Sequence, residues 1–120
     1  MTGYGTPVTE QVHVNRARWI AKLRSGEYEQ GQEMLRTTDN KYCCLGVASD
    51  FLDPGGWRRV NYDCEAVHWE HRGSETMCGP GVRELVGITY EEANRLAKLN
   101  DSGDHTFEDI ADYLEQELFA

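Results

Sequence analysis

The segment Cys44-Leu45-Gly46-Val47-Ala48-Ser49-Asp50-Phe51-Leu52, closed by Asp53-Pro54-Gly55-Gly56, constrains the fold more than any other. Cys44, Val47, Ala48, Phe51 and Leu52 fall at i, i+3, i+4, i+7 and i+8, the spacing of one apolar helix face. The Asp-Pro-Gly-Gly run then stops the helix. Gly46 lies inside it, at a cost of about 1 kcal/mol relative to Ala, and a small residue there suits close packing by a neighbouring element. A short, apolar helix of this kind needs amphipathic partners around it.

The partners are legible on both sides. Thr9 is an N-cap for a helix to Arg24, with Val12, Trp19, Ile20 and Leu23 on one face and Ser25-Gly26 as its stop. Residues 27–33 are polar and read as loop, Met34-Leu35-Arg36 as a short extended piece, and Thr38-Asp39-Asn40 as a turn. Trp57, Val60, Tyr62, Val67 and Trp69 are strand formers, predicting antiparallel strands near 57–62 and 66–70. Pro80 opens a short helix with Val82, Leu85 and Val86 inward and Gly87 as its stop. Thr89 and Glu92 form a capping box for a helix to about Leu99, and Thr106 with Asp109 forms a second one. Asn100-Asp101-Ser102-Gly103 reads as the turn between those two helices. The expectation is an α+β fold: one mostly helical domain over residues 1–120, with about five helices, a small antiparallel β element and a flexible lead-in at 1–8. Its core centres on Trp19, Leu23, Cys44, Val47, Phe51, Leu96, Ile110 and Leu114.

Charge narrows the partners. The 120 residues carry 12 Lys+Arg against 21 Asp+Glu, a net −9. Residues 89–120 hold nine acids and two bases, and no Lys or Arg follows Lys98. Such a balance opposes direct nucleic-acid binding and attachment to anionic membranes. No apolar run approaches the roughly 20 residues of a membrane helix, and the N-terminus lacks a signal-peptide pattern. A cytoplasmic location with reduced thiols is therefore expected for Cys43, Cys44, Cys64 and Cys78.

Five constellations could carry chemistry. Cys44, near a helix start where the dipole lowers a thiol pKa, could be a nucleophile with His68 as its base; on the apolar face of its helix it reads first as core. Cys64, His68, His71 and Cys78 are four zinc-type ligands, in a spacing unlike the usual zinc modules, with the two histidines pointing oppositely along one strand. Asn100 and Asp101 could hold a polar ligand, although turn residues alone account for them. Arg16, Arg24 and Arg58 could clamp a small phosphorylated ligand such as a nucleotide beside Tyr28 or Trp57, or simply face solvent. Glu108, Asp109, Asp112 and Glu115 form an acidic helix face suited to a basic protein partner. No cofactor is implied, and a binding role is favoured over an enzymatic one.

Tyr42-Cys43-Cys44-Leu45-Gly46-Val47, Leu99-Asn100-Asp101-Ser102-Gly103 and Ile110-Ala111-Asp112-Tyr113-Leu114-Glu115 together resemble the small proteins found in tailed-phage genomes and prophages. The Trp-containing first helix ending Leu23-Arg24-Ser25-Gly26, with Tyr28 and Gln30 after it, extends the likeness to most of the chain outside about 54–80. The resemblance implies a phage accessory protein in the host bacterial cytoplasm, in a setting where counter-defence and host takeover are common roles.

Overall fold

The computed structural model describes residues 8–61 and 67–120. In chain order it comprises α1 (Glu10–Arg24), α2 (Cys44–Leu52), a 3-10 turn (Pro54–Gly56), β1 (Trp57–Asn61), β2 (Val67–His71), α3 (Pro80–Val86), α4 (Tyr90–Asp101) and α5 (Phe107–Tyr113), which runs into a π-helical turn (Leu114–Leu118). Among the described residues this is the α+β architecture expected: five α-helices and a two-stranded antiparallel sheet. The expected flexible lead-in lies, but for Val8, outside the described residues, as does the connection between the strands.

Local signals set most of the boundaries. Thr9 accepts a hydrogen bond from the Val12 amide at the head of α1. Thr89 with Glu92 and Thr106 with Asp109 both close reciprocal capping boxes. Gly87 ends α3 in the left-handed region at φ 65°, where a side chain would be strained. Two boundaries differ from expectation. Helix α4 continues through Asn100 and Asp101, so these residues belong to its last turn and not to a loop. Met34–Arg36 forms no strand; it contributes a single bridge between Arg36 and Tyr42.

Helix α2 sits at the centre. Helix α1 packs on α5, α3 and α2, while α2 also meets α4 and α3. Trp19 is fully buried and donates its indole N–H to the Cys44 carbonyl at 3.0 Å, pinning α1 to the start of α2. Seven of the eight expected core residues are buried; Phe51 is only half-buried, with the Arg18 guanidinium 5.2 Å from its ring. Leu85 points to solvent at 38% exposure, because the two turns of α3 present only Val82 and Val86 inward. Leu35 is fully buried although it lies in the irregular connection between α1 and α2.

Leu35 explains Gly46. The Leu35 carbonyl accepts from the Cys43 amide at 3.3 Å and lies so close to Gly46 that a Cβ there would overlap it. Alanine would gain about 1 kcal/mol of helix propensity. Displacing a backbone carbonyl in a close-packed core costs more than that, about 3 kcal/mol. Gly46→Ala should therefore destabilise the protein by a net ~2 kcal/mol in urea unfolding; a neutral or stabilising result would contradict the packing described.

Candidate functional site

Asn100 is fully buried at the end of α4. Its Oδ1 accepts from the Cys44 amide at 3.2 Å and from Gln30 Nε2 at 3.0 Å. Its Nδ2 donates to the Gly31 carbonyl at 2.8 Å and to Asp101 Oδ1 at 3.2 Å. A carboxamide has two N–H donors and two acceptor lone pairs, so the group is saturated from within. Asp101 Oδ1 also accepts from the Glu33 amide at 2.8 Å, supporting a residue held at φ 71°. Gln30 Nε2 reaches on to the His105 carbonyl at 2.9 Å. The pair considered for a polar ligand therefore fastens the chain between α1 and α2 onto α4.

The described thiols, Cys43, Cys44 and Cys78, are buried. Burial pushes Cys44 well above the ordinary thiol range, Cys43 up to about 12 and Cys78 up to about 11. Cys43 does sit at the N-cap of α2, where its sulfur accepts from the Gly46 amide at 3.4 Å, but desolvation outweighs that help. The Cys44 Sγ turns to the Leu96 carbonyl at 3.7 Å. A buried, protonated Cys44 does not supply the nucleophile that the pairing with His68 requires.

The described zinc-type residues, His68, His71 and Cys78, form no metal-binding group. Cys64 lies outside the described residues. His68 and His71 stand on opposite faces of β2, by strand alternation. His71 is fully buried, and its Nε2 meets the Asp53 carbonyl at 2.8 Å. A carbonyl only accepts, so Nε2 donates, and the buried Nδ1 has no hydrogen-bond partner. Among the described residues no group of three His, Cys, Asp or Glu side chains could hold a metal ion.

Among the basic candidates Arg24 meets the acidic ones, while Arg16 is engaged elsewhere in the fold. Arg16 donates Nε to the Val86 carbonyl at 2.8 Å and Nη2 to the Gly87 carbonyl at 2.9 Å, while its guanidinium lies 4.1 Å over the Phe119 ring. Beside it the buried Asn15 donates to the Leu85 carbonyl at 2.8 Å. Together they cap the last carbonyls of α3. Arg24 pairs with Asp112 at 2.6 Å, Glu115 at 3.4 Å and Glu108 at 3.6 Å, joining α1 to α5. Asp109 instead serves its own helix, accepting the Thr106 amide at 3.0 Å. Arg58 remains exposed on β1.

One constellation was not anticipated as a unit. β1 and β2 pair Trp57 with His71 and Arg59 with Trp69, so these four share one face of the hairpin. The connection between α1 and α2 lays Tyr28, Arg36 and Tyr42 against that face. The Arg36 guanidinium lies 3.7 Å from the Trp69 ring centre and 5.4 Å from those of Trp57 and Tyr42. Asp50, on α2, accepts from Tyr28 Oη at 2.6 Å and from Trp57 Nε1 at 2.9 Å. Burial, and then the bond to Asp50, pushes the Tyr28 phenol well up from its usual value. Tyr28 and Trp57 stood out in the sequence as aromatics. The Trp57/Arg59 and Trp69/His71 alternation marks the strand face, but no sequence signal brings Arg36 onto it.

The buried thiols have a consequence for pH. Unfolded thiols ionise near about 8.5, whereas Cys43 and Cys78 stay protonated to about 12 and about 11 in the fold. Above about pH 8.5 the unfolded chain thus binds fewer protons than the folded one, and stability should fall as pH rises from there. Urea midpoints measured upward from neutral pH should decline, and iodoacetamide at neutral pH should leave Cys43, Cys44 and Cys78 unmodified in the native protein. Rapid native-state alkylation of Cys44 would contradict this picture.

Residues 12–77 match the model of a family described as a domain of unknown function, DUF8296. No curated protein and no solved structure matches the chain. The matched segment runs from the first turns of α1 through β2 and contains every residue of the Arg36–aromatic cluster, while α3, α4 and α5 follow it. Spanning more than half of the 120 residues, the match places this chain in the DUF8296 family.

Proposed function

We propose that the protein is a phage-encoded accessory protein of the host bacterial cytoplasm that works by binding, its acidic C-terminal third docking on a basic surface of a host protein. The observation that carries this reading is the face where Glu108, Asp112 and Glu115 surround the single guanidinium of Arg24. Their side chains are 63%, 47% and 55% exposed, so they remain open to a partner. Three carboxylates against one cation leave a net negative patch, and the shared guanidinium limits their conformational freedom before any partner arrives. Pre-positioned charge steers encounter and fixes orientation more than it adds affinity. The buried thiols favour binding over cysteine catalysis. The engagement of Arg16 and Arg24 within the fold counts against a phosphorylated ligand at those residues. No helix among the described residues is long and apolar enough to cross a membrane, in keeping with a partner met away from the bilayer. Counter-defence or host takeover is the role that the phage resemblance suggests.

The test must spare the scaffold. Reversing Asp109 or Asp112 would break a helix cap or the closest bond to Arg24, so Glu108→Gln with Glu115→Gln is the suitable pair. Tagged protein incubated with host lysate should retain a basic protein at about 0.1 M salt and release it as salt rises towards about 1 M, where the Debye length falls from about 10 Å to about 3 Å. The double variant should retain roughly tenfold less of it. Retention indifferent to both salt and the double change would sink the proposal.

A further inference from the structure

We infer that the box formed by Tyr42, Trp57 and Trp69 is a binding site for an arginine side chain of a partner protein, occupied by Arg36 in the unbound chain. Three ring centres within 3.7–5.4 Å of one guanidinium carbon make a cation–π cage. The walls are held by contacts that do not involve the Arg36 side chain. Asp50 fixes Trp57 through the indole N–H at 2.9 Å, Tyr28 stands edge-on to Tyr42 at 5.0 Å, and Trp57 stands edge-on to Trp69 at 6.2 Å. The Asp50 carboxylate also places a negative charge against the cage wall, which strengthens its preference for a cation.

The backbone of Arg36 is anchored through its bridge to Tyr42, whereas its side chain is tied to the neighbouring turn. The residue is half-buried, and it leads into the exposed turn Thr38–Asn40. Its Nε donates to Asn40 Oδ1 at 3.0 Å, within that same turn. Swinging the Arg36 side chain out of the cage breaks that hydrogen bond and leaves the Arg36–Tyr42 backbone bridge, and with it the Tyr42 wall, in place. The chemistry of the incoming group follows from the present one: a planar guanidinium stacks on Trp69 where a tetrahedral ammonium would make a smaller contact. Trp69 also has the Arg59 guanidinium 5.5 Å from its ring centre, so the same indole already attracts two such groups. The net charge of −9 draws basic partners towards the molecule as a whole. This site lies on the hairpin and the α1–α2 connection, apart from the acidic face of α5, and stands or falls separately from it.

The test uses the full chain, a blocked tetra-arginine peptide and a matched tetra-lysine peptide, with tryptophan fluorescence at about 0.15 M salt, where exposed charges are screened beyond about 8 Å. Removing the plug in Arg36→Ala should tighten tetra-arginine binding ~10-fold over the unmodified protein, with a similar margin over tetra-lysine. Trp69→Ala added to Arg36→Ala should return binding to the tetra-lysine level, while Glu108→Gln with Glu115→Gln should leave it unchanged. Equal binding by Arg36→Ala and the unmodified protein, or equal binding of the two peptides, would overturn the inference. So would a loss caused by the α5 changes, which would indicate adsorption to the acidic face. The Arg36→Ala comparison alters one surface side chain, so it decides the question even if the Trp69 variant does not fold.

Discussion

Four hydrogen bonds converge on the side chain of Asn100, and the irregular half of the molecule is organised around them. Through Gly31 and Gln30 the amide holds the connection between α1 and α2; through the Cys44 N–H it holds the start of α2; and it lies itself at the end of α4. A buried amide left unpaired costs about 1–3 kcal/mol per stranded group, so each bond is needed once the others are made. The connection has little regular structure of its own. Its order comes from Asn100 and Asp101, from the Gly31–Tyr42 and Tyr42–Glu29 backbone bonds, and from Leu35, which bonds to the Glu75 carbonyl at 2.8 Å and fills the space that Gly46 leaves. Tyr28, Arg36 and Tyr42 reach the hairpin only because that connection is held, so the aromatic cage depends on an amide at the far end of α4.

What was legible in the sequence was local. Thr9, Thr89 and Thr106 announce their helices because a cap is a contact over three residues, and α2 declares itself through periodicity and the Asp-Pro-Gly-Gly stop. What was not legible was long-range. Asn100-Asp101-Ser102-Gly103 has the composition of a turn, yet α4 runs two residues further because Asn100 finds partners nearly 70 positions away. Leu35 and His71 are buried by packing that no periodicity announces. Leu85, expected inside, is exposed because α3 is too short to bury a third apolar position.

The charges teach the same lesson about sites. Arg16 and Arg24 have the spacing of a solvated helix face or a phosphate clamp, and both are engaged within the fold. One caps the carbonyl end of α3, and the other joins α1 to α5 through carboxylates about 90 residues downstream. Arg24, considered for a ligand, and Glu108, Asp112 and Glu115, considered for a partner, thus proved to be each other's neighbours. That leaves two surfaces of different character: an acidic face partly neutralised from within, and a cation cage that carries its own cation. The DUF8296 match covers the second and not the first.

The central claim is that the Asn100 amide holds the α1–α2 connection in place. Amide hydrogen exchange in Asn100→Ala, followed residue by residue against the unmodified protein, tests it directly. Exchange at Gly31, Glu33 and Tyr42 should accelerate ~100-fold or more, while the mid-helix amides of α1 retain the protection set by the stability that remains. Unchanged protection at Gly31, Glu33 and Tyr42 in a folded Asn100→Ala protein would contradict the account.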